Sequence, residues 1–358
     1  MKKLLSLLLI LCLFTPCAIA GWENEPYYFV SSVTNCYYND KAYTDFYNAG
    51  EFSVIIPGCS QDFVPQGISY YAPQDLIIFS GYSSDKTMPS SLMAVDRSTN
   101  QLVKQIFLAK PNGKAYKGHA GGVCVTEKNI YVSNDNHLYR MSLATFLGAD
   151  NACSYNFEEV ISVPCTAAFC QYNNGILWVG EFERTTLNPA EEQYKTDPSH
   201  HIKAEGGKNT GWVLGYQLTG ATENEFAPGS ITKNGAIPNY VLSTTERIQG
   251  FTISRDMIYL SQSYGRKNNS TIYRHRNVLN ESPDTTANIY GKNVPVWLLD
   301  KSTETASLTC PPMTEGLCTI NDKVYISFES AAAKYRIPLD DGKPAKNPVD
   351  RIFQLNTF

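Results

Sequence analysis

Apolar and polar residues alternate along most of this chain in short runs, the period of half-buried strands and not of amphipathic helices. One phrase recurs: a polar residue, a glycine or alanine, an apolar residue and a small residue, then a tight polar turn and a second alternating run. Its five copies are Gln66-Gly67-Ile68-Ser69, Gly121-Gly122-Val123-Cys124, Ala167-Ala168-Phe169-Cys170, Gln249-Gly250-Phe251-Thr252 and Glu315-Gly316-Leu317-Cys318. The runs they lead to are Leu76 to Ser80, Ile130 to Asn134, Ile176 to Glu181, Met257 to Ser261 and Val324 to Phe328. A third run usually follows, as at Leu92 to Asp96 and Thr271 to Arg274, and a fourth closes the unit at Leu102 to Leu108 and Phe157 to Val163. Repeated four-strand units predict an all-β fold, a β-propeller of five blades with four antiparallel strands in each. A sixth blade stays open if the segment from Tyr27 to Ile56 supplies more than a closing strand.

A β-sandwich also alternates and turns often. It does not demand the same small-residue phrase at five places, whereas crowded innermost blade strands favour small side chains at Ser69, Cys124, Cys170, Thr252 and Cys318. Neighbouring strands in a blade run antiparallel, so the starts of the inner strands and the ends of the second strands share one mouth. The starts are Gln66, His119, Thr166, Gln249 and Glu315; the ends include Asn134, Asp135, Glu181, Glu183, Gln262 and Glu329. A polar ring facing the axis is where a propeller gathers side chains around a ligand. Gln66, Thr166, Gln249, Asn134 and Glu329 are the candidate ligand contacts.

The polar-Gly starts Pro65-Gln66-Gly67, Ile248-Gln249-Gly250 and Thr314-Glu315-Gly316 resemble those of the SMP-30/gluconolactonase and NHL-type propellers. The run from Gly118 to Val123 is similar to a phrase of secreted bacterial propellers. In the gluconolactonase family a Glu before such a glycine is placed to ligate a divalent cation, and the resemblance implies that role for Glu315. Gln66 and Gln249 depart from it, being neutral where the family offers Asn or Asp, and no catalytic aspartate stands out. A hard cation such as Ca²⁺ takes oxygen ligands, so Glu315, Glu181 and Asp135 are the candidate metal ligands. His119 would then be the proton carrier. The competing reading is that these groups bond one another and trapped water, fixing blade register without a ligand.

The N-terminus adds a compartment. Lys2 and Lys3, an apolar run from Leu4 to Phe14 and Ala18-Ile19-Ala20 predict a signal peptide over 1–20, with one propeller domain over 21–358. That run is too short to span a bilayer, and no later stretch replaces it. The expected location is secreted or periplasmic, without membrane insertion. The net charge of -4, with no basic run, gives no reason to expect nucleic acid as a partner. Beyond the leader lie Cys36, Cys59, Cys124, Cys153, Cys165, Cys170, Cys310 and Cys318, an even set suited to disulfides in an oxidising compartment. Cys165 with Cys170 and Cys310 with Cys318 are the local pairs the spacing offers; Cys124, Cys170 and Cys318 also read as small inner-strand fillers.

The longest break in the repeat, about 184–211, reads as an extended loop over the mouth, with His200 and His201 solvated. Tyrosines near blade ends, such as Tyr82, suit a carbohydrate or peptide groove, although strand propensity explains many of them. Nucleotide-binding glycine loops, Gly-x-Ser-x-Gly and His-Glu-x-x-His are absent. Two functions follow: an exported propeller binding a small molecule, glycan or protein at its mouth, or a metal-dependent, lactonase-like hydrolase using a carboxylate-bound cation.

Overall fold

Five inner strands meet around one axis because their sequences let backbone touch backbone. A Cβ on Gly67 would stand 2.4 Å from the Val123 nitrogen, one on Gly122 2.2 Å from the Cys170 nitrogen, and one on Gly250 2.6 Å from the Glu315 carbonyl oxygen. Any side chain at these sites would push neighbouring blades apart. The small residue two places on continues the contact. Ser69 Oγ accepts from the Val125 nitrogen of the next blade at 3.0 Å, and Thr252 Oγ1 meets Thr319 Oγ1 at 2.9 Å.

In the computed structural model, which describes residues 28–34, 36, 38–184, 195–336, 344–356 and 358, these strands carry a five-bladed propeller. From the axis outward, blade 1 is Phe63–Tyr71, Leu76–Ser83, Ser91–Asp96 and Gln101–Ala109. Blade 2 is Gly122–Val125, Asn129–Asn134, His137–Ser142 and Glu159–Ser162. Blade 3 is Phe169–Asn173, Ile176–Gly180, Gly211–Gln217 and Tyr240–Thr244. Blade 4 is Ile248–Ser254, Met257–Gln262, Ser270–Arg276 and Glu304–Cys310. Blade 5 is Thr314–Ile320, Lys323–Phe328, Arg351–Leu355 and, outermost, Gly50–Ile55.

The outermost strand of blade 5 comes from the other end of the chain and closes the ring. The segment before it forms that strand and the short helix Thr44–Asn48, not a sixth blade. Its anchor is Asp350, fully buried, whose carboxylate accepts from the Val33 nitrogen at 2.7 Å and from the Tyr38 hydroxyl at 2.5 Å. Phe46 on the helix stacks on Phe353 at 3.9 Å. Two blades depart from four antiparallel strands. Cys153–Asn156, from the blade 2 connection, adds a fifth strand to blade 1 in parallel. Lys292–Leu298, from the blade 4 connection, pairs in parallel with Tyr240–Thr244, and its hairpin partner Thr285–Ile289 makes blade 3 six-stranded. Each graft covers an edge that would otherwise be open to another chain and ties consecutive blades together.

None of the eight cysteines beyond the leader is disulfide-bonded, so the pairs Cys165–Cys170 and Cys310–Cys318 are not formed. Cys124, Cys170 and Cys318 are buried on inner strands, Cys170 Sγ donating to the Tyr131 carbonyl at 3.7 Å. Burial pushes the thiols of Cys124, Cys165, Cys310 and Cys318 up, away from the reactive thiolate. The expected leader, residues 1–20, lies outside the described residues, and no helix among those described is long and apolar enough to cross a membrane.

Ring closure is the mechanical weak point, because it joins the two ends of the chain. Phe46→Ala should cost about 3–5 kcal/mol, and Val103→Ala, on an exposed outer strand position, less than about 0.5 kcal/mol, both read from urea unfolding midpoints.

Candidate binding cup at the mouth

The polar-Gly pairs that mark the repeat are β-bulges. Strand register shifts between Pro65 and Ile68 in blade 1, between Ile248 and Gly250 in blade 4, and between Thr314 and Leu317 in blade 5. A bulge re-aims the side chain it carries, and the three residues at these bulges are Gln66, Gln249 and Glu315. The chain also enters four inner strands through left-handed backbone at Ala120, Ala167, Arg247 and Met313, with φ of 52, 52, 63 and 67°. Such conformations are costly for residues other than glycine and gather at functional sites.

Below this mouth the axis is closed. Gln171 of blade 3 donates through Nε2 to the Leu317 carbonyl of blade 5 and, at 3.5 Å, to the Ile68 carbonyl of blade 1. The mouth is therefore a blind cup.

At its floor Glu315 meets Glu329. Pairing of Thr314 with Phe328 sets the start of one strand beside the end of the next, and the two carboxyls that follow hydrogen-bond to each other. Gln66 Nε2 donates to Glu329 Oε2 at 2.9 Å, and Gln249 Nε2 to Glu315 Oε1 at 3.3 Å. Burial first, and the Glu329 charge second, push Glu315 well above the usual carboxyl range. Burial raises Glu329 as well, but hydrogen bonds from Glu315 and Tyr335 and the Lys334 ammonium pull it back. The two carboxyls titrate as one pair, and their burial and mutual repulsion favour keeping a proton between them, more strongly at Glu315.

Beside it rises a wall of aromatic and basic groups. Lys334 and Tyr335 lie on the helical turn Ala333–Arg336. Lys334 Nζ donates to Tyr82 Oη at 3.0 Å and stands 5.2 Å from the ring centroids of both Tyr82 and Tyr335. The His119 ring lies 4.6 Å from the Tyr82 ring. His119 is exposed at its surface; the protein packed around its ring, and after it the Lys334 charge, push its pKa down to about 4. Its backbone nitrogen donates to Asn134 Oδ1 at 3.1 Å, and Asn134 Nδ2 donates to the exposed Asp135 at 2.6 Å.

The blade 3 carboxylates serve another purpose. Glu181 Oε2 accepts from the Trp212 nitrogen and meets His200 Nδ1, both at 2.9 Å, while Oε1 accepts from the Thr166 nitrogen at 3.3 Å. His200 stacks on Trp212 at 3.7 Å. Glu183 accepts from the backbone nitrogen and hydroxyl of Thr196 and lies 3.7 Å from His201 Nε2. The adjacent histidines are thus not solvated; they clamp the loop to blade 3. Residues 185–194 lie outside the described set, and the described half of the loop turns outward as the hairpin Ile202–Ala204 and Gly207–Asn209, where the Glu205 nitrogen donates to Asp300 at 2.9 Å.

Glu315, Glu181 and Asp135 therefore do not converge: Glu315 faces Glu329, Glu181 is spent on the loop, and Asp135 faces Asn134. Among the described residues no group of three or more His, Cys, Asp or Glu side chains is placed to hold a metal ion. Lys334, Tyr335 and Gln171 are not among the residues singled out from sequence, and Tyr82 is named there only among the tyrosines near blade ends. Lys334 and Tyr335 follow Glu329 in a connection that must lie at the mouth, which was the available signal. A cleft of about 660 Å³ lies elsewhere, lined by residues including Lys128, Arg140 and Glu223. Its polar groups are committed to one another: Arg140 pairs with Glu158 and Glu159 at 3.0 Å, and buried Glu225 accepts from Asn129 at 2.7 Å.

No model of a known protein family matches this chain, and no curated protein sequence does. Solved structures similar to it include the glutaminyl cyclase of Myxococcus xanthus, with 10% identity, a TM-score of 0.41 and coverage of 86% of this chain and 94% of that one. A gluconolactonase of Xanthomonas campestris has 8% identity, a TM-score of 0.36 and coverage of 95% and 99%.

The floor pair has a pH signature. Glu315 titrates higher in the fold than its ordinary value of 4.5, so folding takes up a proton between the two values and stability falls as pH rises through that window. Glu315→Gln should melt above the wild type at pH 8 and lose that advantage toward pH 4.5, by roughly 1.4 kcal/mol for each unit of the shift. Thermal melts across that range check it, and parallel profiles would contradict the shared proton.

Proposed function

We propose that this chain is an exported binding propeller that takes a small polar ligand into the cup between the Glu315–Glu329 pair and the Tyr82–Lys334–Tyr335 wall. The supporting observation is the acid pair. A buried carboxyl, Glu315, set against the half-buried Glu329 opposes folding, and blade register does not require the pair, since the other blades begin their inner strands with neutral Gln66, His119, Thr166 and Gln249. Perturbed carboxyls in a concave mouth are what ligand sites carry. One proton-donating carboxyl, one carboxylate and two amides offer donors and acceptors side by side, suited to hydroxyl, amide or ammonium groups. Of the partners open from sequence, the blind floor favours a small molecule, or the tip of a glycan or peptide.

A second reading rests on the same four residues. Two carboxylates and the amide oxygens of Gln66 and Gln249, after rotation of the amides, make an oxygen donor set for a cation such as Ca²⁺. Such an ion would polarise a bound carbonyl, the chemistry of a metal-dependent hydrolase, with neutral His119 within the same mouth as proton acceptor. Glu329 then takes the place expected for Glu181 and Asp135.

Calorimetric titration of the mature protein separates the two. Neutral monosaccharides, small carboxylates, ammonium compounds and the ions Ca²⁺, Mn²⁺ and Zn²⁺ are the probes. The binding reading expects saturable heat from an organic probe, weakened at least about tenfold in Glu329→Gln, since a hydrogen bond to a charged group is worth about 1.5–3 kcal/mol. The metal reading expects heat from an ion, with a proton released as the ion replaces it between the carboxyls, lost in Glu315→Gln. Silence toward every probe refutes both.

A further inference from the structure

Lys334 stands in the mouth as a ligand would. Its ammonium donates to Tyr82 Oη at 3.0 Å and lies 5.2 Å from the centroids of the Tyr82 and Tyr335 rings. Its charge bears on Glu329 at the cup floor. A phenol oxygen, an aromatic ring within cation–π range and a nearby carboxyl are features that recognise an ammonium group. The walls are firm: Tyr82 is buried near the end of Leu76–Ser83 and backed by His119, while the Arg266 guanidinium stands 5.3 Å from the Tyr335 ring. Lys334 is half-buried on the turn Ala333–Arg336, and rotation about its own side-chain bonds would carry the ammonium away while the Tyr335 ring stays in place.

We propose that the mouth binds a ligand bearing a primary ammonium group, and that Lys334 is the internal stand-in which this group displaces. The inference rests on the ligand-binding reading above and names its chemical class. A primary ammonium has three N–H donors, enough to serve Tyr82 Oη and the Glu329 carboxylate together; a quaternary ammonium has the charge without the donors. Neutral His119 adds no opposing charge to the wall.

The test removes the stand-in. n-Butylammonium, which reproduces the lysine side chain, is titrated into the full mature protein as wild type, Lys334→Ala and Lys334→Ala with Glu329→Gln; n-butanol and tetramethylammonium are the controls. Lys334→Ala should bind n-butylammonium at least about tenfold more tightly than the wild type, the gain of a desolvated cation–π contact. The double variant should lose that gain, n-butanol should not bind, and tetramethylammonium should bind more weakly. Lys334→Gln, which removes the charge and keeps the bulk, should tighten binding in the same direction if the alanine variant does not fold. No tightening in either Lys334 variant, or equal binding of n-butanol, overturns the inference. A wild type that binds monosaccharides while every variant ignores n-butylammonium overturns it and leaves the binding reading standing, whereas silence toward all probes removes both.

Discussion

Everything in this molecule follows from how closely five inner strands approach one axis. Blade backbones touch at Gly67, Gly122 and Gly250, where no side chain fits. That contact makes the axis too narrow for a tunnel, and the amide of Gln171 bridges what is left. The same crowding sets the small residues at Ser69 and Thr252, whose hydroxyls join blade to blade. The mouth lies above that plug. There the bulged residues Gln66, Gln249 and Glu315 are released from the ladder.

The mouth treats chemically similar groups in opposite ways. Glu181 and Glu183 are buried carboxylates at the end of blade 3: Glu181 accepts from the Trp212 and Thr166 nitrogens and meets His200, and Glu183 accepts from the nitrogen and hydroxyl of Thr196. They are structural because a long insertion supplies donors. Glu315 and Glu329 at blade 5 meet two amides and each other, which leaves the shared proton as the means of lowering their repulsion. A carboxyl pair held this way is poised to exchange its proton for a better partner. Lys334 stands beside this pair, its ammonium bonded to Tyr82 Oη and 5.2 Å from the Tyr335 ring centroid.

The outer edges carry their own logic. Propeller blades end in edge strands, and this chain covers two of them with strands drawn from the following blade, Cys153–Asn156 and Lys292–Leu298. Blade 5 is completed by Gly50–Ile55 from the other end of the chain. Blades 1 and 2 and blades 3 and 4 are thus stitched at the rim as well as packed at the axis.

The propeller was legible in the sequence because it is a repeat: the phrase around Gln66, Gly122, Ala168, Gln249 and Glu315 recurs wherever an inner strand must pass close to its neighbours, and backbone contact tolerates few residue types. Alternation also placed the ends of those strands at one mouth, which brought Glu329, Asn134 and Asp135 into view beside Glu315. Which of these residues meet was not legible, since side-chain convergence depends on the radius of the ring and on bulges that alternation does not register. The sequence offered Glu181 and Asp135 as companions of Glu315, and the fold chose Glu329. It offered His200 and His201 as solvated, and Trp212 with two carboxylates buried or clamped them. The grafted strands and the Lys334 cage join residues far apart in the chain, on elements outside the repeat, so periodicity had no hold on them. Repetition determines the blades because it is written into local sequence; the site is a long-range meeting of unlike residues, and only the tertiary structure decides it.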